Sequence, residues 1–309
     1  MLRAMDSAVA GLRAHQNKLD VIGNNIANVN TYGFKSQNYT FQEAMYQTSS
    51  ASTGGTDQAG GTNAAQYGYG SLMGSITTDM TASTPTYLGG FNASIDGQGF
   101  FVTMATNDKQ LAVDGLKGQE VAYTRVGMFS IDSNGYMVDS SGNFVYGFQA
   151  DNSVDPITYG TNLVALRAPH CTASTTTPVT YTYDYNGEAA LLSNVSINSL
   201  GEVTATVQES GETISFGKVG IATFQNPEGL TKAGGVYYSA SQTDNTGTCT
   251  AAMPGGTVSG LMTGYVEASN VDLAKEFSDM ITTQRGFQAN SRIITVSDQI
   301  LEELVNLKR

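Results

Sequence analysis

The sequence predicts a mainly β chain with terminal α-helices: an antiparallel β domain inserted between N- and C-terminal helices that pair as a coiled-coil-like stem. Three observations carry that expectation. Apolar residues recur three to four positions apart near both ends, short alternating apolar runs punctuated by turn signals fill the centre, and the net charge of −12 belongs to the centre alone.

The first element is the segment MLRAMDSAVAGLRAHQNKLDVIGNNIANVN. It places Leu2, Met5, Val9, Leu12, Leu19, Ile22, Ile26 and Val29 along one helical face. Gly11, Gly23, Asn24, Asn25 and Asn28 favour coil or caps over helix interior, so this helix needs support from outside itself. A connecting stretch, 36–75, follows. Within it TSSASTGGTDQAGGTNAAQYGYGS (48–71) has the composition of a flexible linker.

From Ile76 to about Tyr238 the chain reads as β-structure. FSIDSNGYMVDSSGNFVYGFQ sets Asn134-Gly135 and Ser141-Gly142 between strands, and the Asn-Gly pair signals a type I′ turn. VSINSLGEVTATV and VQESGETISFGKVG repeat the format. Thr and Tyr suit strands, and six prolines leave them mostly uninterrupted.

The last element carries Leu273, Phe277, Met280, Phe287, Ile294, Leu301 and Val305 on a stripe of alternating four- and three-residue steps, with polar vacancies at Gln284, Ser291 and Asp298. Ile293, Ile300, Leu304 and Leu307 widen the apolar face. Ser269 or Asn270 is the expected N-cap, with Asp272 closing a capping box from Ser269. At ~1.5 Å per residue the helix runs on the order of 55 Å, too long to stand without a partner along its length. The predicted division is an N-terminal helix (1–35), the connecting stretch (36–75), the β domain (76–262, a short form without a large extra outer domain) and a C-terminal helix (263–309). The two stripes are expected to pack on each other within one chain. Because they are wider than a two-stranded stem covers, they are expected to hold neighbouring copies as well.

Composition excludes several function classes. The chain has 309 residues, 40% hydrophobic and 14% charged, which suits a folded soluble protein with a core. Residues 1–35 carry four basic and two acidic side chains and residues 265–309 carry five basic and seven acidic, so the ends cancel and the acidic middle disfavours nucleic acid as a partner. No run approaches the roughly 18 apolar residues of a membrane span, and Asp6 and Arg13 interrupt the stretch a secretory signal needs. Cys171 and Cys249 fit either a single disulfide or two unpaired thiols.

Candidate chemistry is sparse. His15 lies on the proposed helix without an evident Ser or Cys beside it, and reads as a solvent- or interface-facing residue rather than a general base. His170-Cys171 supplies two of the four ligands of a zinc site, with no helper nearby. Asp132-Ser-Asn134-Gly135 lacks the twelfth-position Glu of a calcium loop and reads as a turn. Gly97-Gln98-Gly99 lacks the third glycine and following helix of a dinucleotide site. The expectation is a non-enzyme with no catalytic residue, cofactor, metal or small-molecule substrate.

The terminal words resemble a known family. GNNIANVNTYGFK (23–35) is similar to the N-terminal signature of bacterial flagellar rod and hook proteins, through Asn25, Asn28, Asn30, Thr31, Gly33 and Phe34. VEASNVDLAKEFSDMITTQRGFQANSRIITVSDQILEELVNLKR (266–309) is similar to their C-terminal signature, through Ser269, Asn270, Val271, Gln284 and Arg285. FNASIDGQGFFV (91–102) resembles the family's strand and turn around Gly97, Gly99, Phe100 and Phe101. YTRVGMFSIDSNGYMVDSSGNFVYGFQ (123–149) and VGIATFQNPEGLTKAGGVYY (219–238) resemble its later blocks. Within the family, GGTNAAQYGYG (60–70) and the C-terminal wording are more similar to the hook than to the distal rod. The resemblance therefore implies a hook subunit, with the distal rod as alternative: a homopolymeric helical tube, helices inside and β domain outside, transmitting torque as a universal joint. It implies partners in the distal rod, the hook-filament junction proteins, the hook cap and the type III export apparatus. A secreted β-rich binding module is the remaining reading.

Overall fold

The computed structural model describes residues 2–307 except 56–59, 108, 133, 152–156, 168–170, 174–180, 186–187, 208–210, 212 and 257, and gives residues 2, 151, 171–173, 181–185, 188–193 and 207 by backbone alone. Two compact units result. One comprises 1–29, 36–79 and 271–309, and the other 30–35 and 80–270.

The first unit holds both long helices, α1 (Leu2–Ala27) and α2 (Leu273–Leu307). Asp272, rather than Ser269 or Asn270, caps α2: its Oδ1 accepts from the backbone N–H of Ala274 at 2.9 Å and of Lys275 at 3.3 Å. A carboxylate one residue from the first turn reaches those orphan donors directly, so no capping box is needed. The helices run antiparallel.

The stretch with linker composition is β-structure in this unit. β1 (Gln37–Glu43) pairs with β4 (Ser71–Thr78), and β2 (Tyr46–Ser50) pairs with β3 (Ala65–Gly68). Backbone bonds from Ala44 to Gly70 O and from Tyr69 to Met45 O join the two ladders into one ribbon. The ribbon leans on α1. A Cβ at Gly70, at φ +93°, would stand 2.9 Å from Ser7 O; the Phe41 ring meets His15 edge-on at 5.3 Å and carries Lys18 Nζ at 5.6 Å. Gly70 is thus the glycine of this ribbon that the approach to the helix requires.

In the second unit the strand Phe100–Met104 is buried throughout and has neighbours on both sides, Val121–Thr124, Phe144–Asp151 and Ile221–Phe224. Alternation sorts its side chains. Phe101 joins a core with Phe129, Val219, Ile221 and Leu261, while Phe100, Val102 and Met104 join one with Tyr123, Tyr146 and Leu163. Antiparallel pairing continues outward from Phe144–Asp151 through Thr213–Val219, Glu202–Val207 and Glu188–Ile197.

The hairpins depart from the expected type I′ geometry. Asp139 N–H bonds to Asn143 O at 2.9 Å and Gly142 N–H to Asp139 O at 3.1 Å, which makes a three-residue loop with only its glycine, φ +85°, in the left-handed region. Asp132–Tyr136 and Asn198–Glu202 share that backbone pattern, with Gly135 at +80° and Gly201 at +71°. The leading Asp or Asn selects it: Asp139 Oδ1 accepts from Ser141 and Asn143 N–H, and Asn198 Oδ1 from Leu200 and Glu202 N–H, all within 3.0 Å.

Two glycines separate conformational from steric cost. At Gly142 a Cβ meets nothing within 4 Å, whereas at Gly127 it would sit 1.6 Å from Ala93 O. Gly142→Ala should cost only the left-handed strain of about 1–2 kcal/mol. Gly127→Ala should cost about 3 kcal/mol or more, because backbone has to move. Urea denaturation followed by circular dichroism measures the difference.

Candidate assembly interface

The seam between α1 and α2 is built from small and polar residues. On α1 the buried positions include Ala8, Gly11, Ala14, Ile22 and Asn25; on α2 they are Glu276, Thr283 and Ser297. A Cβ on Gly11 would lie 2.7 Å from Asn290 Nδ2, and one on Gly286 would lie 2.7 Å from His15 Cε1. Asn25 Nδ2 donates to Glu276 Oε1 at 3.1 Å, and the same amide bonds Gln37 O at 2.9 Å and Gln37 N–H at 3.0 Å. Contact therefore falls on Glu276, Thr283, Asn290 and Ser297, seven residues apart, and the two glycines set how closely the backbones approach.

Both titratable groups of the seam are shifted. Burial, against the Asn25 hydrogen bond, holds the Glu276 carboxyl above its usual range, and burial with the nearby Lys18 charge holds His15 below its own. The seam thus favours both groups uncharged. His15 Nδ1 has no hydrogen-bond partner.

The expectation that the two apolar stripes pack on each other is corrected here. Phe277 is 50% exposed, Val305 67% and Leu307 82%; Leu273, Phe287, Ile293, Ile300 and Leu304 are also exposed. Met280, Ile294 and Leu301 are half-buried. On α1 Ile22 is buried, Met5, Leu12, Leu19, Ile26 and Val29 are half-buried and Val9 is exposed, while the side chain of Leu2 lies outside the described residues. Large side chains would hold the helices apart, whereas Gly11 and Gly286 let them meet through Asn, Thr and Ser. Most of the apolar face of α2 is left uncovered in the single chain.

The family-signature residues serve a different purpose, chiefly in the second unit. Gly33, at φ +69°, donates its N–H to Glu267 O at 2.8 Å, and a Cβ there would strike Val126. Two residues on, Lys35 Nζ meets Glu267 Oε1 at 2.7 Å and also bonds Thr81 O. Arg125 Nε meets Glu267 Oε2 at 2.6 Å, and its Nη1 donates to Gly97 O at 2.8 Å and Gly99 O at 2.7 Å. Side-chain exposure is 1% for Lys35 and Glu267 and 3% for Arg125. Gly97 and Gly99, at φ +131° and +136°, are the turn read from the sequence, and their carbonyls are what Arg125 holds. Phe34 is buried with Lys232 Nζ 4.6 Å from its ring centroid, and Asn270 N–H bonds Phe34 O. Ser269 O accepts from Ser83 Oγ, Asn28 Nδ2 bonds Asn24 O, and Phe34 N–H bonds Thr31 O. Asn30, Gln284 and Arg285 are exposed and Val271 half-buried.

Sequence reading missed Lys35, Arg125 and Glu267 as a group. The signal was present only as single charges in otherwise apolar or small-residue surroundings. Burial drives the Glu267 pKa up, yet the hydrogen bonds and charges of Arg125 and Lys35 outweigh it and hold the carboxyl below its ordinary value.

Elsewhere, Cys249 is a buried free thiol beside the Tyr123 hydroxyl, its pKa pushed up to about 11 by burial. The side chain of Cys171 and all of His170 lie outside the described residues. Among the described residues no three His, Cys, Asp or Glu side chains gather into a metal-holding group, and no described helix is long and apolar enough to cross a membrane.

Two long terminal helices with a largely exposed apolar face, and a β unit held by a buried ionic knot of its own, are the features of a structural protein. Family models agree with that class. Residues 5–35 match the flagella basal body rod protein family, 94–205 the flagellar hook protein FlgE/F/G D1 domain, and 262–307 the flagellar basal body rod FlgEFG protein C-terminal family. The chain is 39% identical to the flagellar basal-body rod protein FlgG of Bacillus subtilis, and 31% identical to that of Borreliella burgdorferi, covering 100% of both chains in each case. The flagellar hook protein FlgE of Borreliella burgdorferi is 25% identical over an alignment of 455 residues. The chain belongs to the flagellar rod and hook axial protein family.

The ionic knot has a signed pH dependence. Because the folded-state pKa of Glu267 is depressed, its stabilisation is present above the unfolded value near 4.5 and is lost as pH falls through the folded one. Thermal melts of the full chain between pH 7 and 3 should show that loss. Glu267→Ala should remove about 3–5 kcal/mol at pH 7 by leaving two buried cations uncompensated, and should flatten the acid limb.

Proposed function

We propose that this chain is the subunit of the distal rod of the bacterial flagellum, polymerising through its terminal helices into a tube and taking no part in catalysis. The observation that carries the reading is length-matched similarity. Rod relatives align with this chain end to end over 312 and 314 residues, whereas the hook relative needs an alignment of 455. A subunit of rod length fits a rod lattice without extra outer mass.

This reverses the preference for the hook drawn from residues 60–70 and the C-terminal wording. Identity and length weigh the other way: the rod relatives are 39% and 31% identical over lengths matching this chain, and the hook relative 25% over 455 residues. The hook remains the second reading, favoured by a hook relative that spans the whole chain. Under the rod reading the partners are further copies of the chain, the adjoining rod and hook segments and the type III export apparatus, and the mature location is the basal body.

Assembly is assigned to the uncovered side of α2. Burying one Phe or Leu contributes about 1.5–3 kcal/mol, so a charge at such a position in every subunit is incompatible with a polymer. Phe277→Asp or Phe287→Asp should abolish polymerisation in sedimentation assays while the β unit melts as in the parent chain. Electron microscopy of basal bodies from a strain lacking the gene separates the two readings: a truncated rod supports the distal rod, and a complete rod without a hook supports the hook and overturns the proposal.

A further inference from the structure

His15 is where three elements of the helical unit meet. On α2 the approach is at backbone distance: a Cβ on Gly286 would lie 2.7 Å from His15 Cε1 and 2.8 Å from Nε2. Phe41 of β1 stands edge-on to the same ring at 5.3 Å. The side chain is half-buried, and its Nδ1 is enclosed with no hydrogen-bond partner among the described residues. A neutral imidazole tolerates this site, since it can keep Nδ1 bare and carry its one proton on Nε2. An imidazolium has to place an N–H at Nδ1, where no acceptor stands, and an unmade bond to a charged donor costs more than one to a neutral group.

The charged groups around His15 do not offset that cost. Lys18, on the same helix, adds like-charge repulsion. The Phe41 ring, whose face can shelter a cation, already has Lys18 Nζ 5.6 Å from its centroid. Across an open cleft, β1 and β2 contribute Glu43 and Tyr46, which are hydrogen-bonded to each other. From α2 the contact receives the uncharged Gly286 and Asn290, and Arg285 beside them is exposed. Glu276, flanked by Lys275 and Asp279, lies further down α2 and feels the same Lys18. Lowering the pH therefore adds positive charge at His15 and takes negative charge from Glu276, on either side of Lys18 along the seam.

We propose that His15 is an acid-sensitive latch of the helical unit: protonation of its ring loosens α1 from both α2 and the β1–β4 ribbon, so that the unit is closed at neutral pH and opens in mild acid. Linkage gives the direction. Burial and Lys18 hold the His15 pKa below 6.5 in the folded chain, so its contribution is complete above 6.5 and is lost as pH falls from there to the folded value. Glu276 shifts the opposite way, above 4.5, and contributes stability in acid that is lost as pH rises through its folded value. The two effects oppose each other, and a comparison of chains that share Glu276 isolates His15.

The chain has two histidines, so His170→Gln leaves His15 as the sole imidazole signal in NMR of the full chain. Its titration midpoint should lie below 6.5. Helical ellipticity, followed on heating at about pH 7.5 and about pH 5.5, reads the latch itself at values above the range in which Glu267 titrates. The parent should melt about 4 °C or more lower in acid. His15→Gln should lose most of that difference, and Lys18→Gln should lose part of it and raise the His15 midpoint. A His15 midpoint at or above 6.5, a parent melt that does not move with pH, or an equal shift in the His15→Gln chain each overturn the latch while leaving the rod reading in place. Should His15→Gln be too unstable to melt, Lys18→Gln decides: a His15 midpoint unchanged in that chain overturns the proposal, and a raised one supports it.

Discussion

Glu267 is the residue on which the second unit turns. One carboxylate, 1% exposed, neutralises two buried cations from distant parts of the sequence and receives the Ser83 N–H as well. Removing three charges from water costs several kcal/mol each, and such a cluster persists only when every charge is met with good geometry. Here it is met at 2.6–2.7 Å on both carboxylate oxygens. Directionality is what an ionic knot supplies and an apolar contact does not. Lys35 closes the N-terminal family signature, Glu267 stands at the start of the C-terminal one, and Arg125 grips the Gly97–Gly99 turn between them, so three segments far apart in sequence are fixed in one arrangement.

The helical unit follows the opposite rule. Its internal seam is small and polar, and its large apolar side chains face outward. The Asn25–Glu276 hydrogen bond across it contributes little net stability, since it replaces bonds to water. An outward apolar face of this kind adds stability only where something covers it. Covering it by association would stabilise the helices by mass action, which suits a helix that Gly11, Gly23, Asn24 and Asn25 weaken by propensity.

The helices and their period were legible because each residue's place on a helix follows from local spacing alone. Which face would meet which was not. The heptad of Glu276, Thr283, Asn290 and Ser297 lies in plain view in the sequence, yet a rule that seeks apolar stripes assigns the seam to Phe277 and Phe287, which are exposed. The Asx-Gly hairpins were legible as turns, though their loop length was set by a side-chain carboxamide or carboxylate that dipeptide rules leave out. The ribbon at 37–78 was hidden by composition, for glycine and serine describe a flexible chain and a strand lying against a helix equally well. The ionic knot was illegible for a different reason: its partners stand 232 and 142 residues apart, and no local pattern links them.

The two units are held by contacts of different kinds. Apolar contacts are non-directional, so a polymer held only by the outward face of α2 slides easily. The ribbon β1–β4 packs on α1, so the stretch that composition marks as a linker is ordered β-structure of the helical unit. The ionic knot, by contrast, is directional, and it fixes Lys35, Arg125 and Glu267 in one arrangement within the second unit.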